Sequence, residues 1–168
     1  TEMVEEFMKK YPQLSQPNTL SLHVRRSEYL QLPDIHPTIS IEYIQEALKV
    51  IGEYSTVFVF SDDHDFVKEN LKFPSVIFVD EDEDYKELWL MGLCQNHIMS
   101  NSTFSWWGSF LNKNLNKKDF GLPQDKFIFG CFNNSYKITP IIFLFKCVNI
   151  VLSYWYKPSI FQCFMLFS

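Results

Sequence analysis

Between Leu20 and Lys118 the chain repeats one alternation: a short apolar run suited to a strand, a polar cluster, then a stretch with helical spacing. Leu20-Ser21-Leu22-His23-Val24 alternates apolar and polar after the turn signal Pro17-Asn18 and predicts a first strand. Thr56 to Phe60 and Ser75 to Val79 are continuous runs rich in β-branched and aromatic residues, which suit strands buried on both faces. His97 to Ser100 predicts a fourth, short strand. Ser40 is placed to cap a helix whose stripe Ile41, Ile44, Leu48 and Ile51 ends near Gly52. Asp63 or Ser61 is placed to cap a second, through Phe66, Val67 and Leu71, that stops before Pro74. Tyr85, Leu88, Trp89, Met91 and Leu93 give a third, reaching about Cys94. Strands and helices alternating at these lengths predict an α/β fold, a doubly wound parallel sheet with right-handed crossovers and helices on both faces.

Such sheets bind ligands beyond the carboxyl ends of their strands, near a switch in strand order. Three of the four predicted ends carry polar clusters: Arg25 and Arg26; Ser61, Asp62 and Asp63; Asn101 and Ser102. The last opens Asn101-Ser102-Thr103-Phe104-Ser105-Trp106-Trp107-Gly108, where small hydroxyl residues suited to capping precede a helical run. A helix start leaves N–H groups unpaired and carries the positive end of the macrodipole, so a phosphate fits there; an ordinary capped core helix is the alternative. Phe104, Trp107, Phe110 and Leu111 recur on one face, which is expected to be buried, with Gly108 allowing a close approach.

The chain has 168 residues, 46% of them apolar, enough for one domain with a real core. Fifteen basic residues against twenty acidic ones, without a basic block, argue against general binding of nucleic acid or anionic membranes. Cys94, Cys131, Cys147 and Cys163 form no C-x-x-C pair, so spacing gives neither a zinc site nor a disulfide framework. The acidic run Asp80 to Asp84 reads as a solvated loop, because consecutive acids do not converge on one ion. Asn101 and Asn133 both head glycosylation sequons, the first inside the candidate site and discounted for that reason.

The chain opens on Thr1, with no signal peptide before the helix-like run Glu2 to Lys10, and is expected to be a piece of a longer protein. Residues 1–17 are expected to be a linker or remnant of a preceding half, residues 18–121 the sheet domain, and residues 122–168 a divergent tail. The apolar stretch Ile138 to Tyr156 has the length of a membrane span, but Lys146, Asn149 and Pro140 interrupt it. A buried helix pair and a non-native tail of AT-rich origin are the other readings.

Arginine presents a planar fork of donors that grips phosphate oxygens at two points, so Arg25 and Arg26 suit a pyrophosphate; ion pairing with Glu28 or helix acids is the alternative. Asp62 and Asp63 suit ribose hydroxyls or guanine ring nitrogens, or serve only as an N-cap box. His23 lies on the polar face of its strand and equally suits a satisfied core histidine.

These blocks resemble a known family. His23-Val24-Arg25-Arg26-Ser27-Glu28-Tyr29 is similar to the H-x-R-R-G-D-Y motif of the α-1,2-fucosyltransferases, glycosyltransferase family 11. Ser61-Asp62-Asp63 resembles their S-D-D segment, and Leu90-Met91 through Cys94 to the octet resembles their L-M-x-x-C … N-S-T-F-S-W-W-G block, in the same order and at similar spacing. The resemblance implies the Rossmann-like donor half of a GT-B enzyme. It also implies inverting transfer of fucose, without a metal, from GDP-β-L-fucose to the 2-hydroxyl of a terminal galactose on a glycan acceptor. By position, Arg25 and Arg26 would be catalytic, binding the pyrophosphate and steadying charge on the departing β-phosphate. Asp62 and Asp63 would hold the guanosine end, and Ser102, Thr103, Phe104 and Ser105 the phosphates, with His23, Glu28, Ser61 and Asn101 completing the donor set.

Ser27-Glu28 stands where the family has Gly-Asp, so a tight turn is lost if that glycine needed a positive φ. No motif residue is assigned as general base. An active enzyme, a nucleotide-sugar-binding module without transfer activity, and a truncated non-functional product are the three expectations. An animal source would imply a Golgi lumenal enzyme held by an N-terminal membrane anchor; a bacterial one would imply a cytoplasmic or peripheral enzyme.

Overall fold

The computed structural model describes residues 2–34 and 36–121. The elements in chain order are α1 (Glu2–Lys10), a 3₁₀ turn (Pro12–Ser15), β1 (Leu20–Val24), a second 3₁₀ turn (Tyr29–Gln31), α2 (Ile41–Ile51), β2 (Val57–Ser61), α3 (His64–Asn70), β3 (Val76–Phe78), α4 (Asp84–Leu93), β4 (Asn96–Ile98), α5 (Thr103–Leu111) and β5 (Asp119–Phe120). The strands form one parallel sheet in the order β3-β2-β1-β4-β5, as a doubly wound α/β fold requires. From β1 the chain builds outward through β2 to β3, then returns to lay β4 on the other side of β1. The switch point therefore lies between β1 and β4, with Leu20 opposite both Val57 and Asn96.

The helix ends follow the local chemistry. Ser40 caps α2 by accepting from the Tyr43 amide at 3.2 Å, and Gly52 ends it at φ +82°, a conformation that disfavours any side chain. Asp63, not Ser61, caps α3, accepting from the Phe66 amide at 3.0 Å.

One face of the sheet buries Leu20, Leu22, Val24, Val57, Val59 and Ile98 against Ile44, Ala47 and Ile51 of α2 and Val67 of α3. On the other face Phe58 and Phe60 meet Phe7 of α1, Tyr11, Leu14, and Leu90 and Met91 of α4. Both phenylalanines are fully buried, each contributing about 2–3 kcal/mol of hydrophobic stabilisation. Residues 2–16, set apart by sequence alone, thus pack into the same core.

All five residues of β1 are buried, Ser21 and His23 included, and His23 packs against Phe104 of α5. Three expectations change. The run Ser75 to Val79 supplies an edge strand rather than one buried on both faces, and Val76 is exposed. A fifth strand pairs His97 with Asp119 and Ile98 with Phe120, too short to show a period in the sequence. In α5 the buried residues are Ser105, Gly108 and Ser109, while Phe110 is exposed and stacks on Trp106. Small residues face inward there because α4 lies so close that a Cβ on Gly108 would stand 2.8 Å from Met91 Cγ.

The apolar stretch Ile138 to Tyr156, the sequon at Asn133, and Cys131, Cys147 and Cys163 lie outside the described residues. Among the described residues no helix is long and apolar enough to cross a membrane.

Candidate functional site

Beyond the carboxyl edge of the sheet the loops after β1, β2 and β4 bring together most of the residues singled out by sequence. Arg25 leaves β1 with its NH2 nitrogen 3.1 Å from Glu28 Oε2 and its Nε 3.4 Å from Asp62 Oδ2. Arg26 pairs through Nε with Asp63 Oδ2 at 3.2 Å and lies over the Phe66 ring at 3.6 Å. The N-cap reading of the acids and the ion-pair reading of the arginines meet in one residue: Asp63 caps α3 with one oxygen and holds Arg26 with the other. Asp62 accepts from the backbone amides of Arg26 at 2.9 Å and Ser27 at 3.1 Å. Ser61 donates its hydroxyl to the Val24 carbonyl at 2.8 Å, tying the end of β2 to the end of β1.

The exchange of Gly-Asp for Ser27-Glu28 costs no backbone strain. Among the described non-glycine residues only Asn18 has a positive φ, so the turn after the arginines asks nothing that serine refuses. The Ser27 hydroxyl donates to the Asp62 carbonyl at 3.1 Å, a bond that glycine does not make.

His23 is a core histidine at the rim of the site. Its Nδ1 lies 2.7 Å from Ser100 Oγ across the switch point, its ring packs on Phe104 at 5.6 Å, and burial pushes its pKa down to about 4. Tyr29 stacks on His36 at 4.6 Å and meets the Ser102 side chain, so the loop after β1 touches the start of α5. Ser102 caps that helix by accepting from the Phe104 amide at 3.3 Å. Ser105 is fully buried and donates to the Ser102 carbonyl at 3.1 Å, so its hydroxyl holds the loop together; Thr103 is exposed.

Asn101 carries the least ordinary environment. It is 3% exposed, yet neither Oδ1 nor Nδ2 has a hydrogen-bond partner, a state that costs about 1–3 kcal/mol per group. That burial also bears on its sequon, because an acceptor asparagine has to be reached at the surface. His36 Nδ1 and His64 Nε2 are likewise buried without partners, so the loops after β1 and β4 and the first residue of α3 each contribute such a group. Charge in the acidic run does not gather: Glu81 takes Lys10 and Tyr11, and Asp82 pairs with Lys86. Ser100 and Phe66 are not marked as site residues by sequence. Phe66 and Ser100 meet Arg26 and His23 only through the fold, and no local signal marks them.

The chain was compared with known proteins. The family model "Glycosyl transferase family 11" matches residues 4–138. The O-antigen biosynthesis glycosyltransferase WbnK of Escherichia coli is 34% identical over 105 residues, covering 56% of this chain and 35% of that protein. An alpha-1,2-colitosyltransferase of Escherichia coli is 30% identical over 105 residues, covering 56% of this chain and 36% of that protein. The chain therefore spans about a third of the length of these relatives. Among solved structures, POFUT1 in complex with GDP-fucose matches with a TM-score of 0.52 and 18% identity, over 73% of this chain and 47% of that one. POFUT1 in complex with GDP matches at 0.51 and 20%, over 71% and 45%. At that identity the likeness concerns the fold, the same doubly wound parallel sheet. The family model covers most of the chain, including every strand end described above, and the chain belongs to glycosyl transferase family 11.

Proposed function

We propose that this chain is the donor-binding half of an inverting fucosyltransferase that moves L-fucose from GDP-β-L-fucose to the 2-hydroxyl of a terminal galactose. The observation that carries this reading is the pair Arg25 and Arg26 at one side of the switch point, with the Ser102-capped start of α5 and the unpartnered Asn101 amide at the other. Two forked cations and a helix start make a site for a diphosphate. Family membership supports glycosyl transfer, the POFUT1 structures that share this fold are complexes with GDP and GDP-fucose, and the colitosyltransferase carries a 1,2 linkage in its name.

Both arginines are paired with carboxylates, so donor binding exchanges those pairs for phosphate oxygens. Arg26 moving to a phosphate releases Asp63 Oδ2 for a donor group on ribose or guanine. In the transfer step the acceptor hydroxyl attacks C1 of fucose, the bond from C1 to the β-phosphate oxygen breaks with inversion, and the hydroxyl proton passes to a base on the acceptor side. The two arginines steady the charge on the departing GDP, the role a metal fills in other transferases, so the reaction is expected to proceed in EDTA.

Calorimetric titration of GDP and GDP-fucose into the folded chain tests the binding step. Saturable GDP binding is expected, and Arg26→Ala is expected to weaken it by at least about 2 kcal/mol, near thirtyfold. A folded sample that shows no saturable GDP binding sinks the donor-half reading. For the transfer step, GDP release with a β-galactoside acceptor is measured in a protein that carries both halves, and a requirement for Mn²⁺ or Mg²⁺ would overturn the metal-free mechanism.

A further inference from the structure

Asp62 and Asp63 are adjacent and chemically identical, and the family resemblance gives both to guanosine. Their surroundings differ. Asp63 caps α3 and touches Arg26 only through its Nε. Asp62 is wrapped by the turn that carries the arginines: Oδ1 accepts the Arg26 amide at 2.9 Å, and Oδ2 accepts the Ser27 amide at 3.1 Å and lies 3.4 Å from Arg25 Nε. The Ser27 hydroxyl returns a bond to the Asp62 carbonyl at 3.1 Å. A carboxylate offers about four acceptor sites, and most of those on Asp62 are taken by this one turn. Its side chain is 18% exposed, so these bonds are partly shielded from water. Successive backbone amides aimed at a carboxylate are a fixed geometry; rotating the Asp62 side chain toward a nucleoside would leave both amides without an acceptor.

We propose that Asp62 is a positioning residue: it fixes the turn bearing Arg25 and Arg26 and so sets the affinity for the diphosphate without touching the nucleoside. The proposal rests on the donor-half reading and departs from it in the role of this one acid. Ser27 belongs to the same device, since its amide and hydroxyl close the turn on Asp62 from both sides.

The test uses Asp62→Ala, the milder Asp62→Asn, and the pair Arg25→Ala/Arg26→Ala, each first shown by circular dichroism to be folded. Hydrogen exchange at the Arg26 and Ser27 amides reads the turn itself: exchange at least about tenfold faster in Asp62→Ala is expected, with Asp62→Asn intermediate because one acceptor oxygen remains. Titrations with GDP, inorganic pyrophosphate and guanosine read the ligand. GDP and pyrophosphate are expected to bind at least about tenfold more weakly to Asp62→Ala while guanosine is unchanged, and Asp62→Ala is expected to add nothing on the arginine-free background. Weakened guanosine binding, or a full additional loss on that background, overturns the proposal, as does unchanged amide exchange. Should the parent chain bind pyrophosphate but not GDP, the donor reading fails, and the pyrophosphate series still decides the role of Asp62. Should it bind neither, both fall.

Discussion

The two edges of the sheet handle buried polar groups in opposite ways, and a pair of histidines shows the contrast best. His97, in β4, sits in a closed network. Asn112 Oδ1 accepts from the Asn114 amide at 2.8 Å, which fixes its Nδ2 as the donor to His97 Nε2 at 2.7 Å. The proton of the neutral ring therefore rests on Nδ1, where it meets Ser21 Oγ at 2.7 Å. Around it the Asn96 side chain accepts from the Lys118 amide, and Lys118 Nζ reaches the Ile51 carbonyl, so neighbouring elements are stapled together. His23, farther along β1 toward its carboxyl end, has Ser100 and Phe104 for neighbours and stands beside loops whose asparagine is unpartnered and whose arginines are held by exchangeable ion pairs and ring contacts. Among the described residues, only Ser55 Oγ of the buried side-chain atoms without partners lies toward the amino edge. A polar network that closes on itself supports the fold, whereas one left open is what a ligand site looks like before the ligand arrives.

The largest expected effect that tests this contrast is on stability. His97→Ala removes a buried ring and takes one hydrogen-bond partner each from Ser21 and Asn112, so a loss of about 3 kcal/mol in urea unfolding is expected. Arg25→Ala is expected to change stability by less than about 1 kcal/mol, since its pairs are partly exposed, while lowering GDP affinity. Equal destabilisation by both changes would break the distinction between a structural edge and a binding edge.

Inside the octet, Gly108→Ala sharpens the same division. The added methyl meets Met91, and a cost of about 2 kcal/mol is expected for overpacking, with GDP affinity unchanged because the clash lies on the α4 side. Met91→Ala should relieve the clash, so the double variant is expected to cost less than the two single changes combined. Loss of GDP binding in a folded Gly108→Ala would instead couple the packing of α5 to the site.

The pH dependence carries two contributions whose signs oppose. Burial pushes both His23 and His97 from 6.5 down to about 4. The unfolded chain takes up these protons near 6.5 and the folded one only near 4, so stability is full above 6.5 and falls as pH drops through that window. Glu87 runs the other way, since burial raises it from 4.5 to about 7. The folded state keeps a proton that the unfolded state loses, so this contribution is present below 4.5 and vanishes as pH rises to about 7. Urea midpoints measured from pH 4 to 8 should therefore rise more steeply between 4.5 and 7 in Glu87→Gln than in the parent; superimposable profiles would dismiss the Glu87 shift.

Much of the fold was legible in the sequence because each signal is local. Apolar runs set β1 to β4, Ser40 and Gly52 bound α2, and Ser102 caps α5, all consequences of side-chain period and of orphaned backbone groups within one turn. The motif spacing likewise placed arginines, acids and hydroxyls at strand ends before any contact was known. Partnership was not legible. The burial of Ser21 and His23, the edge position of β3 and the inward face of α5 depend on which helix lies over which strand, and pairing between residues far apart in the chain leaves no local period. The same holds for the division of labour between Asp62 and Asp63, where two adjacent and identical residues differ only in what the fold presents to them. Local patterning is enough to bring the chemical groups to the carboxyl edge, but packing between distant segments sets which of them are already satisfied, because hydrogen-bond capacity belongs to a residue and its use belongs to its neighbours in space.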